Sequence, residues 1–160
     1  MRLIRATART MLAGIFISSG SAALNDPEPL VPRATPVVDR IAPWLERAVP
    51  ALPSDATSLV RLNGAVQVVG GLLLATGRFR RLAALTLAGS LIPSTLAGHP
   101  FWQKTDPVER RMHQIHFLKN LGLFGGLLLA ALDTEGRPGV AWRTRHTAQR
   151  IRRIRIRRTD

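Results

Sequence analysis

Residues 113–132 constrain the fold of this chain most strongly, because they are long and apolar enough to cross a lipid bilayer. They read HQIHFLKNLGLFGGLLLAAL, and the last twelve are only Leu, Gly, Ala and Phe. At about 1.5 Å rise per residue, such a helix is about 30 Å long, which is the thickness of a hydrocarbon core. The stretch therefore predicts a membrane-spanning helix with one polar end. Gly122 and Gly126 give it a GxxxG pattern, typical of close helix packing.

The other apolar residues gather in three further blocks, so that the four blocks cover residues 8–24, 59–77, 82–98 and 114–132. Most charges lie between and beyond these blocks, which is the distribution of a multi-pass membrane protein. We therefore predict an all-α integral membrane four-helix bundle over residues 1–133 and an Arg-rich tail over residues 134–160. The sequence contains no Cys, which excludes thiol catalysis and disulfide exchange.

The formal net charge of +13 comes largely from Arg residues near particular ends of the predicted spans. Three Arg lie before or at the start of the first block, three lie between the second and third, and nine follow the fourth. The positive-inside rule then places both termini and the 78–81 loop in the cytoplasm. We expect a protein of the cell (cytoplasmic) membrane.

The C-terminal run RIRRIRIRR predicts attachment to the membrane surface. Each basic residue near an anionic leaflet contributes about 1 kcal/mol of attraction. No aromatic residue interleaves with these Arg, so nucleic acid is not the expected partner. The predicted lipid-binding residues are Arg150, Arg152, Arg153, Arg155, Arg157 and Arg158.

The first block has two readings. An Arg-rich start, an apolar run and the small residues SGSAA also describe a cleavable signal peptide. Gly14, Ser18 and Ala22, however, recur every four residues and form a seam suited to close helix contact. We expect the block to be retained as a span.

Residues 25–58 hold seven Pro, which is too many for one continuous helix by sequence reasoning alone. Apolar residues nevertheless recur there at helical spacing. We predict two short helical pieces hinged near Pro43, lying on the outer membrane surface with Trp44 at headgroup depth. The alternative is an ordered loop packed on the bundle.

The predicted topology brings polar side chains from all four spans to one depth, in their outer halves. An isolated Lys at the bilayer centre costs roughly 2.5–3.5 kcal/mol, so it usually faces a partner or a water-filled cavity. We predict an outward-facing polar vestibule above an apolar floor. The alternatives are Ser and Thr bonded to their own backbone, Asn and Gln joining helices, and a Lys that snorkels to the interface. The candidate lining residues are Lys119, Asn120, His116, His113, Gln67, Asn63 and His99.

Three of these candidates are histidines, which raises the question of a metal. His113 and His116 form an H-x-x-H pair, and His99 could approach them from the preceding loop, near Asp106 or Glu109. This spacing is typical of interfacial histidines as much as of ligands. We therefore predict no metal site.

Several segments together resemble the DoxX family of small bacterial four-span membrane proteins, over roughly residues 6–132. They are RTMLAGIFISSG in the first block, VQVVGGLLLATGRFRRLAAL, HPFW after the third block, and HFLKNLGLFGG in the fourth. The resemblance implies that Lys119 and Asn120 are a characteristic residue pair of the family. It also implies an association with redox functions, including thiosulfate-to-quinone electron transfer and assemblies with antioxidant enzymes. Many relatives carry an acidic residue where this chain has Gln67, and a neutral amide cannot pair with Lys119 or move protons.

The leading hypothesis is a subunit or anchor of a membrane redox or oxidative-stress assembly, with quinone as a possible ligand and redox or antioxidant proteins as possible partners. If the chain is catalytic, it would be a quinone-linked oxidoreductase component, although no catalytic residue can be assigned. The alternatives are a small membrane transporter or exporter, and a structural membrane protein without catalysis.

Overall fold

The structure, a computed structural model, describes residues 2–50 and 53–133, and in this part it consists of helices without strands. The predicted lipid-binding Arg of the C-terminal tail, Arg150 to Arg158, lie outside the described residues. The all-α architecture is confirmed. The elements are α1 (Arg2–Asn25), α2 (Val31–Ala48), α3 (Ala56–Thr76), α4 (Arg80–Gly98), a short 3-10 turn (Phe101–Gln103) and α5 (Pro107–Leu132).

Three of the described helical segments are long and apolar enough to cross a membrane: Ala56–Thr76, Arg80–Gln103 and Pro107–Leu132. They confirm a membrane-type bundle. With 24 residues, α1 also has the length of a span, but its Gly, Ser and Arg residues lower its mean hydropathy. The span predicted for the first block, residues 8–24, therefore stays a prediction.

The ends of the helices follow from local chemistry. Asp55 and Asp106 each cap a helix N-terminus by accepting a hydrogen bond, at 2.8 Å, from the backbone N–H three residues later. The hydrogen bond from the backbone of Ser58 lowers the pKa of Asp55, because it stabilises the carboxylate. Gly77 ends α3 with a φ of 75°, a conformation open to glycine.

The closest packing in the bundle is between the antiparallel helices α1 and α3. A Cβ built on Gly20 would lie 2.5 Å from the carbonyl oxygen of Gly64. One built on Gly71 would lie 3.3 Å from the carbonyl oxygen of Ala13 and 2.7 Å from the Ile17 side chain. Small residues seven apart on each helix thus let the two backbones touch at two levels.

The predicted seam on the first block was wrong. Gly14, Ser18 and Ala22 are exposed, and a Cβ on Gly14 would meet nothing within 4 Å. The buried positions of α1 are instead Ala13, Phe16, Gly20 and Ala23, which recur every three or four residues. The pattern at i, i+4 and i+8 lies on another face of the helix.

The predicted close packing at the GxxxG pattern of α5 is also not found. A Cβ on Gly122 would meet nothing within 4 Å, and one on Gly126 would reach only the Leu12 methyl groups, at 3.8 and 3.9 Å. The reason is that α5 packs mainly on α4 and touches α1 less. Gly122 is exposed, and Gly126 meets α1 only through the Leu12 side chain.

A compact apolar core fills one half of the bundle. Leu74 of α3, Leu87 of α4 and Leu127 of α5 are completely buried there. Phe16 and Ala13 of α1 and several Ala of α4 pack into the same cluster. This core lies next to the ends of α1, α3, α4 and α5 where Arg5, Arg9, Arg80 and Arg81 gather, which we call the arginine end.

The segment predicted as two pieces hinged at Pro43 is instead one helix, α2, which runs through both Pro36 and Pro43. These two prolines are seven residues apart, so they lie on the same face and each costs one backbone hydrogen bond. The helix packs on α3 and α4 and buries Val38. Burial of the side of α2 that carries Val38 offsets the lost hydrogen bonds. Trp44 is exposed.

One charged side chain fastens α4 to the end of α5. Nε of Arg81 donates a hydrogen bond of 2.7 Å to the carbonyl oxygen of Ala131, one of the last four carbonyls of α5, which lack partners within the helix. The guanidinium also opposes the negative end of the helix dipole.

Replacing Arg81 with Ala is therefore expected to lower the free energy of unfolding by about 1 kcal/mol, because a charge-assisted hydrogen bond and a favourable dipole interaction are lost. Unfolding of the full-length protein in mild detergent measures this. Arg78→Ala, at an exposed position in the loop before α4, is the matched control. Equal stability of the two variants would contradict the assignment.

Candidate functional site

A cavity of about 590 Å³ lies at the end of the bundle opposite the arginine end. Residues from all five helices line it, with α2 on one side, and most of the lining side chains are apolar. This size and lining are typical of small-molecule sites, which are mainly apolar with a few placed polar groups. The apolar lining includes Ile15, Phe16, Ala23, Leu30, Val37, Val38, Ile41, Leu45, Leu59, Val66, Leu91 and Leu123.

The polar part of the lining is organised around the Ser94 hydroxyl. Nδ2 of Asn63 donates a hydrogen bond of 2.8 Å to Ser94 Oγ, and Nε2 of Gln67 donates one of 3.3 Å to the same oxygen. Ser94 Oγ in turn donates to the carbonyl oxygen of Ser90, at 2.9 Å. The predicted bonding of a Ser in α4 to its own backbone is thus present, but the same hydroxyl also joins α3 to α4.

Ser94→Ala is expected to destabilise the protein by roughly 1 kcal/mol, because the Asn63 and Gln67 amides lose a shared acceptor and interhelical bonds in membranes are individually weak. The free energy of unfolding in mixed micelles measures this. Ser18→Ala, which removes an exposed hydroxyl from α1, is the control. If Ser94→Ala is as stable as the control, the hydroxyl does not join the helices.

A second interhelical bond joins α5 to the same region. Nδ2 of Asn120 donates a hydrogen bond of 3.0 Å to Thr95 Oγ1, and Thr95 is buried. Asn120 also lines the cavity. The amides at 63, 67 and 120 thus have a structural role as interhelical bonds and lie on the cavity wall as well.

Lys119 lies on the cavity wall together with Asn63 and Gln67. Its side chain is exposed, and it makes no hydrogen bond or ion pair with another described residue. The Lys therefore borders the cavity without a protein partner among the residues that the structure describes.

The three histidines lie together beside the cavity. Nδ1 of His99 is 3.4 Å from Nδ1 of His113, and the His99 ring stacks on that of His116, with centroids 4.9 Å apart. His99 lines the cavity, whereas His113 and His116 contact it only through His99. Within residues 2–50 and 53–133, no three His, Asp or Glu side chains are grouped so as to hold a metal ion.

Phe101, Trp102 and Phe117 form an aromatic cluster beside the histidines. The Phe101 ring packs edge-on against Trp102 and Phe117, with centroid distances of 5.1 and 5.3 Å. This cluster attaches the 3-10 turn to α5. It thereby holds His99, two residues before Phe101, against the histidines of α5.

Arg33 and Gly89 are among the residues of the cavity wall that sequence reasoning missed. Arg33 is on α2, and its side of the helix could be inferred only from the apolar spacing of Val37, Val38 and Ile41. Gly89 is on α4, and a Cβ built on it would meet nothing within 4 Å. No signal in the sequence marks this glycine as a cavity residue.

The model of the DoxX family matches residues 4–100, which is more than half of the chain. The chain belongs to the DoxX family. With its apolar helices, it is therefore a DoxX-like multi-pass integral membrane protein, in contact with lipid. No curated protein and no solved structure gives a significant match to it.

The residues matched by the family model include only part of the cavity wall of this DoxX protein. Asn63, Gln67, Ser94 and His99 lie within the matched residues, whereas α5 lies beyond them. That Lys119 and Asn120 are a characteristic pair of the family therefore stays a prediction.

Proposed function

We propose that this DoxX protein is a subunit or anchor of a membrane redox or oxidative-stress assembly and that it binds a membrane-soluble amphipathic ligand in its cavity. The observation that carries the proposal is the combination of about 590 Å³ of mainly apolar space with polar groups from α2, α3, α4 and α5 on its wall. An apolar pocket with few convergent polar groups is the usual form of a small-molecule site.

The lining supports a defined orientation for such a ligand. An apolar tail would lie against the side chains of α1 and α2, such as Phe16 and Val38, which are both buried. A polar head would lie near Lys119 and His99, where donors are available. The resemblance implies a quinone, and the basic side chains would also accept an anion.

The chain itself has few side chains suited to redox chemistry. Its 160 residues include neither Cys nor Tyr, and the family resemblance implies an acid at the position where this chain has Gln67. We therefore place electron transfer on a quinone-type ligand or on partner proteins. The role of this subunit is to bind and orient the ligand and to hold the partners at the membrane.

The proposed membrane is the cell (cytoplasmic) membrane, with both termini in the cytoplasm. The gathering of Arg5, Arg9, Arg80 and Arg81 at one end of the bundle supports this orientation, because Lys and Arg are enriched on the cytoplasmic side. The cavity would then open in the outer half of the membrane. The Arg of the tail would bind the anionic inner leaflet.

Purification of tagged, full-length protein from its native membrane in mild detergent tests the proposal. We expect an extractable amphiphile, such as a quinone, in about equal amount to the protein, together with a redox or antioxidant protein. Recovery of neither would overturn the proposal. Substrate flux in proteoliposomes, without ligand-dependent electron transfer in the assembly, would instead support a transporter.

A further inference from the structure

We propose that the cavity selects an amphiphile whose head carries an anionic oxygen group, carboxylate or phosphate, over a neutral one. This inference rests on the proposed function in one respect, namely that the cavity binds an amphipathic ligand. It goes further by naming the charge of the head and the residues that recognise it.

The first observation is the charge of the cavity wall. Three ionisable residues line the cavity, and all of them are bases: Arg33 on α2, His99 after α4 and Lys119 on α5. None of the described lining residues is Asp or Glu. Lys119 and Arg33 give this wall positive charge without a matching acid, and an anionic head supplies the missing counter-charge.

The second observation is that the basic side chains lie near one another. His116, His113, Lys119 and Arg33 are all close enough to His99 to act on it electrostatically. No acid is among them. Lys119 and Arg33, on different helices, thus both lie near His99 on the cavity wall, and their fields add there.

The third observation is that nearby acids are engaged elsewhere. Glu109 pairs with Lys104 at 3.1 Å, and Asp106 accepts the capping hydrogen bond at the start of α5. Neither lines the cavity. Within the described part of the chain, Lys119 has no carboxylate partner. An ammonium in a membrane helix is costly without a partner, and a bound anion provides one.

The shape of the site then fixes how the amphiphile binds. The head lies between Lys119 and Arg33, and charge-assisted hydrogen bonds to it are stronger than those to a neutral carbonyl or hydroxyl. The tail follows the apolar wall formed by Ile15, Phe16 and Val38. Lys and Arg bind both carboxylates and phosphates, so the two head groups share one recognition chemistry.

The test compares three sixteen-carbon amphiphiles that differ in their heads, and a neutral quinone with a shorter chain is the fourth ligand. Full-length protein in a neutral detergent is titrated with palmitate, hexadecyl phosphate, hexadecanol and the neutral quinone decylubiquinone. We expect at least one of the two anions to bind roughly tenfold more tightly than hexadecanol. Comparison of palmitate with hexadecyl phosphate identifies the head that fits.

Matched variants assign the preference to the two basic residues. The double variant Arg33→Gln, Lys119→Gln is expected to bind the preferred anion no better than it binds hexadecanol. The control is Arg40→Gln, Arg47→Gln, which removes two exposed charges of α2 that do not line the cavity. It is expected to keep the full preference.

Each result decides between outcomes. Equal binding of anions and hexadecanol, or a preference that survives in the Arg33, Lys119 double variant, would overturn the inference. Binding of decylubiquinone without binding of either anion would overturn it as well, while leaving the proposed ligand-binding function standing. Binding of none of the four compounds would overturn both.

Discussion

Gly20→Ala is expected to lower the free energy of unfolding by roughly 1–3 kcal/mol, although it adds one methyl group. The new Cβ would lie 2.5 Å from the carbonyl oxygen of Gly64 and 2.9 Å from Cβ of Gln67. Neither neighbour is the end of a flexible side chain, so relief requires α1 and α3 to separate. Because Gln67 also bonds to Ser94, the separation would disturb the cavity wall.

Gly14→Ala provides the control, since it makes the same substitution in the same helix at a position where the added Cβ meets nothing within 4 Å. Its stability should equal or slightly exceed that of the wild type, because Ala favours helix more than Gly does. Unfolding of both variants in the same micelles measures the difference. If Gly20→Ala proved as stable as Gly14→Ala, the close contact between α1 and α3 would be refuted.

Gly89→Phe is expected to abolish ligand binding while leaving the bundle folded. Gly89 lines the cavity, and a Cβ at this position meets no atom within 4 Å. A benzyl group there would enter open space and occupy volume that the ligand needs. We expect affinity for the preferred amphiphile to fall by at least about tenfold, with an unfolding temperature close to that of the wild type.

Gly125→Phe is the matched control for this substitution. Gly125 also has open space around its Cβ, but it lies on α5 and does not line the cavity. The variant should therefore bind ligand like the wild type. If both variants lost binding equally, a general effect on the protein would explain the loss, and if neither did, the ligand would lie elsewhere.

The features of the fold that could be predicted depend on local or compositional rules. The end of α3 at Gly77 follows from the freedom of glycine to adopt positive φ. The spans over α3, α4 and α5 follow from length and hydropathy. Neither requires knowledge of which helices are neighbours.

The contact surfaces could not be predicted, because small residues occur on more than one face of α1 and α5. Gly14 and Gly122 match familiar small-residue patterns, yet both are open. Gly20 and Gly64 meet because two antiparallel helices cross at that level, and this depends on partners distant in the sequence. Local pattern alone cannot choose among such faces.

The same distinction applies to the cavity. Asn63, Gln67, Lys119 and Asn120 were predicted to share one depth, and the structure places all four on the cavity wall. Arg33 could not be assigned to that wall, because prolines were expected to divide the segment that forms α2. Burial of Val38 against α3 and α4 allows a continuous helix, and this tertiary effect brings Arg33 to the cavity.

Native mass spectrometry of full-length protein, extracted from its own membrane without added lipid, tests the ligand cavity most directly. We predict one bound amphiphile per wild-type chain, retained in Gly125→Phe and absent in Gly89→Phe. A wild-type chain without bound amphiphile, or equal occupancy in Gly89→Phe, would contradict a ligand site at this cavity.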